Sequence, residues 1–510
     1  MYLLSFPWHP GLRSPNELCR LMQTRALVDF GELSLNRAMK TYGPVGDLSV
    51  YSGRYYPSKA PLMSFAAVPV YAVLRALAGG SPGTVPEIPL VFFSRLLLTI
   101  LPTLLSLVLL ERLLATYVER GMALGLTWAY AVGTLAFSYS LLFMSHQTTA
   151  TLLLVGFYLC WRVIRGERRS SWLVLSGALL GLAVVAEYTS ALPAIAVAAY
   201  ATFGFPGAIR ERARACGLVA VGALPMAILL GWYHLACFGG VLETGYRHLA
   251  DLAYQPWHEG GFLGIKTPTW TAFLGSFFSP LRGLFALSPM LILGFVGIPQ
   301  LWGSRDGNPE LAGIAVFTAL LTAAYCYFTS SFSYASWGWT TGPRHLTGLV
   351  PFLILPAALL MEHKMASRWR GLAVGLIAGS VFVTSALTFV NYIPDDVSEG
   401  LFELFVPLAR SGHVVPSPLS FMGLDQLAGW IPIVLTLVVT GLLAAILMVA
   451  PRGPNVVVAA AIALSLIALH RWAALDTDHD RAARALLEQV WLTSPGRTPT
   501  FWSTTGRAFH

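Results

Sequence analysis

Near the start of the chain two acids, Glu17 and Asp47, alternate with three cations, Arg20, Arg54 and Lys59. A carboxylate can take a proton from a hydroxyl, and nearby Arg and Lys side chains can hold an anion as it forms or leaves. The stretch 51–61, "YSGRYYPSKAP", concentrates Arg54, Tyr55 and Lys59 just before an apolar run, "LMSFAAVPVYAVLRALAGG". Such placement suits chemistry on an anion held at the surface of a bilayer. Lys59, set between Ser58 and an Ala-Pro step, has little structural purpose and is the strongest single candidate.

The elements that must carry these residues are helices. Residues 14–31, "SPNELCRLMQTRALVDFG", have Ser14 as N-cap, Pro15 at the first helical position and Gly31 as terminator. Glu17 is spaced to complete a capping box with Ser14, which gives it a structural reading beside the chemical one. Leu18, Leu21, Met22 and Ala26 share one face.

The whole chain has the composition of a polytopic α-helical membrane protein. It has 510 residues, 55% hydrophobic and 11% charged, against roughly 25% charged in an average soluble domain. Segments of about 20 apolar residues recur, each long enough to cross a hydrocarbon core. The expected spans are 91–113, 121–141, 148–164, 172–187, 190–206, 215–236, 284–302, 311–328, 346–361, 371–391, 430–450 and 455–470. The segment 62–79, short and carrying Pro69 and Arg75, reads instead as one helix lying in the interface. The first eight residues, "MYLLSFPW", are too short to span. Either a first helix precedes them or the chain starts at the interface.

The net charge of +8 does not read as a nucleic-acid surface, because the arginines flank apolar segments. One set of short loops is basic, with Arg120, then Arg162, Arg165, Arg168 and Arg169, then Arg210, Arg212 and Arg214, then Lys364, Arg368 and Arg370. The positive-inside rule places these in the cytoplasm. The loops 237–283, 329–345 and 392–428, the N-terminal segment and the tail then share the outer side. This divides the chain into an N-terminal segment and first outer loop (1–80), a bundle (81–470) and an outer tail (471–510) with one amphipathic helix over 479–492. The five cysteines lie singly and read as mostly buried free thiols.

Further candidates fall on that same side. His146 sits in the turn "MSHQ", Glu187 ends an apolar run, and Arg247 and His248 lie in "TGYRHL". Trp337 and Trp339 could stack on sugar faces or belong to an aromatic belt, and Arg344, after Gly342-Pro343, could bind a phosphate bidentately. Each also has a bland reading as a surface, headgroup or turn residue. No Walker A, GxGxxG, HExxH or DxD motif is found, so a nucleotide-sugar donor or ATP-driven transport lacks support. No cofactor is required, and a divalent metal is unsupported. Asp395-Asp396 is the only adjacent acidic pair, and a solvated loop explains it.

The order "SPNELCRLMQTRALVDFG … GDLSVYSGRYYPSKAPLMSFAAVPVY" resembles the first outer loop of the GT-C class of membrane glycosyltransferases. It is closest to the glycosyltransferase family 39 branch, which holds protein O-mannosyltransferases and lipid A aminoarabinose transferases. That branch reads "DE…R…G…Y…KPP" here, matched by Asn16-Glu17, Arg20 and Lys59–Pro61. "GTLAFSYSLLFMSHQTTATLLLVGFYL" and "SWGWTTGPRHLTGLVPFLILP" continue the likeness.

The resemblance implies a GT-C-like bundle of about 12–13 transmembrane helices with a helical first outer loop. It implies transfer of a sugar from a polyprenyl-phosphate-linked donor to a hydroxyl of a lipid, glycan or protein acceptor. The work would be done among membrane lipids, at the outer face of a bacterial inner membrane. It further implies a carboxylate base and Lys/Arg side chains on the departing phosphate, with inversion at the sugar carbon if attack is a single displacement. Asn16 stands where the family has its aspartate, and an amide cannot accept a proton. Glu17 or Asp47 must then serve as base, with Arg20, Arg54, Tyr55, Lys59, His146, Glu187, Arg247, His248, Trp337, Trp339 and Arg344 as substrate contacts. A multi-span transporter or lipid-linked-sugar flippase, or a non-catalytic relative, remains the alternative.

Overall fold

In the computed structural model the described residues are 1–7, 14–253, 255–259, 264–332, 339, 341–364, 367–391, 393–395, 397–413, 415, 417–419, 424, 430–447 and 453–490. They form an all-helical bundle with one two-stranded sheet. Among the described residues six helices are long and apolar enough to cross a membrane: Glu87–Leu114, Ser145–Ile164, Ile209–Phe238, Glu310–Ser331, Trp369–Val390 and Gly453–Ala473. The chain is a multi-pass membrane protein. Trp369–Val390 and Ser145–Ile164 are the central helices, 89% and 72% buried, whereas Ile209–Phe238 and Gly453–Ala473, at 22% and 11%, present apolar faces outward as lipid-facing helices do.

Several expected spans are interrupted. The 121–141 run breaks between Arg120–Gly133 and Leu135–Ser140, where Thr134 is extended and its hydroxyl caps Ala136. The run 172–187 ends at Ala186, leaving Glu187 in extended backbone before a 3-10 turn at Tyr188–Ser190. Residues 284–302 divide into Leu284–Leu287 and Leu291–Gly303, and residues 344–364 run through successive 3-10, α and π turns. Residues 62–79 hold two helices, Leu62–Ala66 and Val68–Leu77. Residues 1–7 pack into the bundle, with the Tyr2 hydroxyl donating to Ala131 and Phe6 fully buried.

Close backbone approach tightens one flank. A Cβ on Gly177 would lie 2.0 Å from the Val219 carbonyl oxygen, and one on Gly222 would lie 1.9 Å from that of Val174. Only glycine permits the helices Trp172–Ala186 and Ile209–Phe238 to meet so closely.

The bundle has two unlike poles. Tyr117 and Arg165 both reach Glu310, and Glu119 N donates to Glu362 at 3.4 Å. The basic loops therefore gather at one end. The helix Ser145–Ile164, of 20 residues, spans about 30 Å and carries His146 to the other end, where the N-terminal segment, Glu187 and Arg344 lie.

The N-terminal segment packs on this second pole. The helix Pro15–Phe30 starts at Ser14 and ends at Gly31, whose φ of 66° needs no Cβ. The expected capping box does not form: Ser14 makes no side-chain cap bond, and Glu17 turns into the bundle. Next comes a hairpin absent from the helical expectation, Leu48–Tyr51 paired antiparallel with Arg54–Pro57. Ser52 and Gly53 both have positive φ, as a two-residue type I′ turn demands.

Candidate active site

The hairpin brings Asp47 to Lys59. The two residues flank its open end, where Ser58 N donates to the Asp47 carbonyl at 2.9 Å. Lys59 Nζ lies 3.3 Å from Asp47 Oδ1; the lysine side chain is 11% exposed and the aspartate 33%. Burial acts to lower the pKa of Lys59, but the Asp47 carboxylate, aided by Tyr246, outweighs it and leaves the pKa raised. The ammonium is therefore a fixed charge at neutral pH.

Residues 245–250 lie along the hairpin as a third strip. Val50 N donates to His248 O and Ala250 N to Leu48 O. A side chain at Gly245 would strike Ser49 Oγ at 2.8 Å, so glycine admits the strip. This register carries Tyr246 over Lys59, with the ammonium 5.6 Å from the ring centre, and His258 stacks on Tyr246 at 4.7 Å. Burial first, then Lys59 and Arg344, hold His258 down to about 4, so it is neutral at physiological pH.

Behind this mouth lies a small cavity, with room for about one water molecule, lined by His146, Thr149, Glu187, Thr189, Ser190, Tyr325, Arg344, His345 and Gly348. Arg344 stands at its rim, with Nε buried and without a hydrogen-bond partner among the described residues. Burial, then Arg344, Lys59 and His258, push the pKa of His345 well below its usual value. His146 stacks edge-on against His345 at 5.5 Å, and His345 meets Phe332, which meets His258 in turn. The mouth and the cavity thus share one ring of side chains.

Arg20 joins the two halves. It is buried, with Nε donating to Asn16 Oδ1 at 3.1 Å and Nη2 to Ser145 Oγ at 3.2 Å. Ser145 Oγ donates onward to Glu187 Oε2 at 2.7 Å. Three fixed cations (Arg20, Lys59, Arg344) then stand with two carboxylates (Asp47, Glu187), and the positive end of the helix Ser145–Ile164 points the same way. The balance favours an anion, with a base beside it.

Other candidates lie elsewhere. Glu17 is fully buried in an ion pair with Arg95: Arg95 Nη2 reaches both carboxylate oxygens, at 2.8 and 3.0 Å, and Phe143 N donates to Oε1. Arg54 and Tyr55 are exposed on the hairpin. Arg247 pairs with Glu243 at 2.9 Å on the surface, and His248 stacks on Phe238 rather than entering the cavity. Trp339 is 42% exposed, and Trp337 lies outside the described residues. Asp395 is not merely solvated, since it pairs with buried Arg282 at 2.8 Å. All five cysteines are free, but Cys216 is exposed. Among the described residues no three of His, Cys, Asp and Glu are grouped as a metal would need, and no step below is routed through one.

Sequence reasoning missed Tyr246, His258, Thr149 and the hairpin. The Ser-Gly dipeptide at 52–53, between β-rich VY and RYYP, was the available hairpin signal.

No family model and no curated protein sequence matches the chain. Among solved structures, ArnT from Cupriavidus metallidurans in the apo state is 14% identical, with a TM-score of 0.48 over 95% of this chain and 75% of that one. The same protein bound to undecaprenyl phosphate gives 14%, 0.49, 95% and 76%. The Archaeoglobus fulgidus oligosaccharyltransferase in the apo form is 12% identical, with a TM-score of 0.43 over 100% of this chain and 60% of that one. ArnT, a lipid A aminoarabinose transferase, and the archaeal oligosaccharyltransferase are both GT-C glycosyltransferases, and it is to these polytopic membrane proteins that the chain is structurally similar.

Proposed function

We propose that the chain is a glycosyltransferase that moves a sugar from a polyprenyl-phosphate-linked donor to an acceptor hydroxyl, at the outer face of a bacterial inner membrane. The observation that carries this reading is the meeting of Asp47, Lys59 and Arg344 at the mouth of a cavity on the pole opposite the basic loops. The arginine-rich pole would be cytoplasmic by the positive-inside rule, which leaves the site outside.

Lys59 and Arg344 bind the lipid-linked phosphate and neutralise it as it leaves. Asp47, rather than Glu17, takes the proton of the acceptor hydroxyl. The hydroxyl oxygen attacks the sugar's anomeric carbon, that carbon's bond to the phosphate oxygen breaks, and the bonding pair leaves on the phosphate. Asp47 is part-exposed and so reachable by an acceptor, whereas both oxygens of Glu17 are committed to Arg95. Cations preorganised in a partly dry site stabilise the departing charge by several kcal/mol.

The test is transfer of labelled sugar from a panel of polyprenyl-phosphate monosaccharides in proteoliposomes. Covalent transfer that depends on Lys59 and Asp47 supports the reading. Passage of the lipid-linked sugar across the bilayer with no covalent product would replace it with a flippase.

A further inference from the structure

We propose that Glu187 is the counter-charge of Arg20, joined to it through the Ser145 hydroxyl, and that this link positions Arg20 to help Lys59 and Arg344 hold the lipid phosphate. This rests on the phosphate reading above, and adds a positioning residue to it.

Arg20 is the exception among the deeply buried arginines. Of the described residues, Arg20, Arg95 and Arg282 are the buried ones, at 1%, 1% and 4% exposed. Arg95 meets Glu17 and Arg282 meets Asp395, each at 2.8 Å. Arg20 instead gives Nε to the neutral amide oxygen of Asn16 and Nη2 to Ser145 Oγ, and makes no ion pair among the described residues. A buried guanidinium with no counter-charge is strongly destabilising, so compensation must come from one step further off.

The hydrogen bonds identify its source. A guanidinium only donates, and a serine hydroxyl has one proton. Arg20 Nη2 therefore takes a lone pair of Ser145 Oγ, and the serine proton goes to Glu187 Oε2 at 2.7 Å. The chain runs from cation to anion, and each bond polarises the next. Both later members are fixed: Ser145 is fully buried at the start of its helix, and the Glu187 carbonyl accepts from both N and Oγ of Ser190. Arg20 Nη1 stays buried without a partner among the described residues. The charges of Arg344, Arg20 and Lys59 all act on the His146 ring, so the three cations stand around one point.

Two roles for Glu187 predict opposite signs. As a bare negative charge beside the phosphate it repels the ligand, and its removal tightens binding. As the anchor of Arg20 it supports the ligand, and its removal weakens binding. Asn16 gives a second handle. Its amide oxygen already receives Arg20 Nε at 3.1 Å, so Asn16→Asp sets a carboxylate directly on the guanidinium and makes Glu187 dispensable.

The experiment is a double-mutant cycle on the purified full chain in detergent, over wild type, Glu187→Gln, Asn16→Asp and the two combined. It reads the thermal midpoint and the affinity for undecaprenyl phosphate. Glu187→Gln should lower the midpoint and weaken the lipid about tenfold. Asn16→Asp should restore both in that background and change wild type far less. Ser145→Ala keeps both charges, breaks the link, and should weaken the lipid in the same direction. If Glu187→Gln yields no folded protein, recovery of folded protein in the combined variant is the expected rescue, and its absence overturns the proposal. Equal midpoint gains from Asn16→Asp in both backgrounds, as an acid near any helix N-terminus gives, also overturn it. Unchanged or tighter lipid binding in Glu187→Gln and Ser145→Ala overturns the positioning role. Failure of undecaprenyl phosphate to bind wild type strikes the phosphate reading and that role with it, while the midpoint cycle still decides the Arg20–Glu187 link.

Discussion

Two acid–cation pairs in the same small region have opposite fates. Glu17 and Arg95 are both buried to within 1% and joined at 2.8 Å, by a guanidinium fork that occupies both carboxylate oxygens. Asp47 and Lys59 meet at 3.3 Å, with the aspartate a third exposed, beside Tyr246 and His258 and near Arg344, whose buried Nε has no hydrogen-bond partner among the described residues. A saturated, dry pair holds two segments together. A half-satisfied pair at the rim of a cavity has charge left to offer a ligand. What separates a structural from a chemical carboxylate here is whether its partners leave it anything to do.

Each variant below is expected to widen or erase that contrast. The largest effect falls on the open pair: Asp47→Asn should lower the transfer rate by about 10²–10⁴-fold, with a smaller fall in melting temperature than Glu17→Gln because Lys59 keeps some contact with water. Glu17→Gln should do the reverse. Leaving Arg95 as an uncompensated buried charge costs about 3–5 kcal/mol, readable as a large fall in melting temperature, while the folded fraction turns over normally. If Glu17→Gln instead folded well and lost turnover, the two roles would have to be exchanged.

Smaller effects sharpen the picture at the mouth. Arg344→Lys keeps the charge and loses the planar fork, so donor affinity should drop about tenfold, or about 1.4 kcal/mol, in a binding isotherm. His258 gives a pH signature. Its folded-state pKa of about 4 lies below the ordinary value of about 6.5. The stability it contributes is therefore present above the unfolded pKa and is lost as pH falls through that window. His258→Gln should flatten that acid limb of the melting curve. Least of all, Arg54→Ala should stay within about twofold of wild type in turnover, since Arg54 is exposed on the hairpin and its side chain is set against Tyr56.

Much of this was readable before any coordinates. Apolar runs and the placement of arginines revealed the helical class and the two poles, because the bilayer imposes length and charge rules on local sequence. Lys59 and Arg344 stand out in the sequence as charges beside Pro or Gly at the entry to an apolar run, and Asp47 as an acid that precedes the cationic stretch. Glu17 could not be read, because its partner Arg95 lies 78 residues away and local spacing offered only a capping box. The motif "TGYRHL" points by its charges to Arg247 and His248, whereas in the 3-10 turn Gly245–Arg247 Arg247 pairs with Glu243 at the surface and Tyr246 lies over Lys59. His258 and Thr149 carried no local signal at all, as their meaning comes only from the loops and helices that close around them.

Single-turnover transfer by purified Asp47→Asn and Glu17→Gln, each normalised to its folded fraction, with the best polyprenyl-phosphate sugar donor of the panel, tests the central claim most directly. The expected result is a rate at least a hundredfold below wild type for Asp47→Asn and an undiminished rate for Glu17→Gln. Equal rates in wild type and Asp47→Asn would contradict the claim that the open pair is where the chemistry happens.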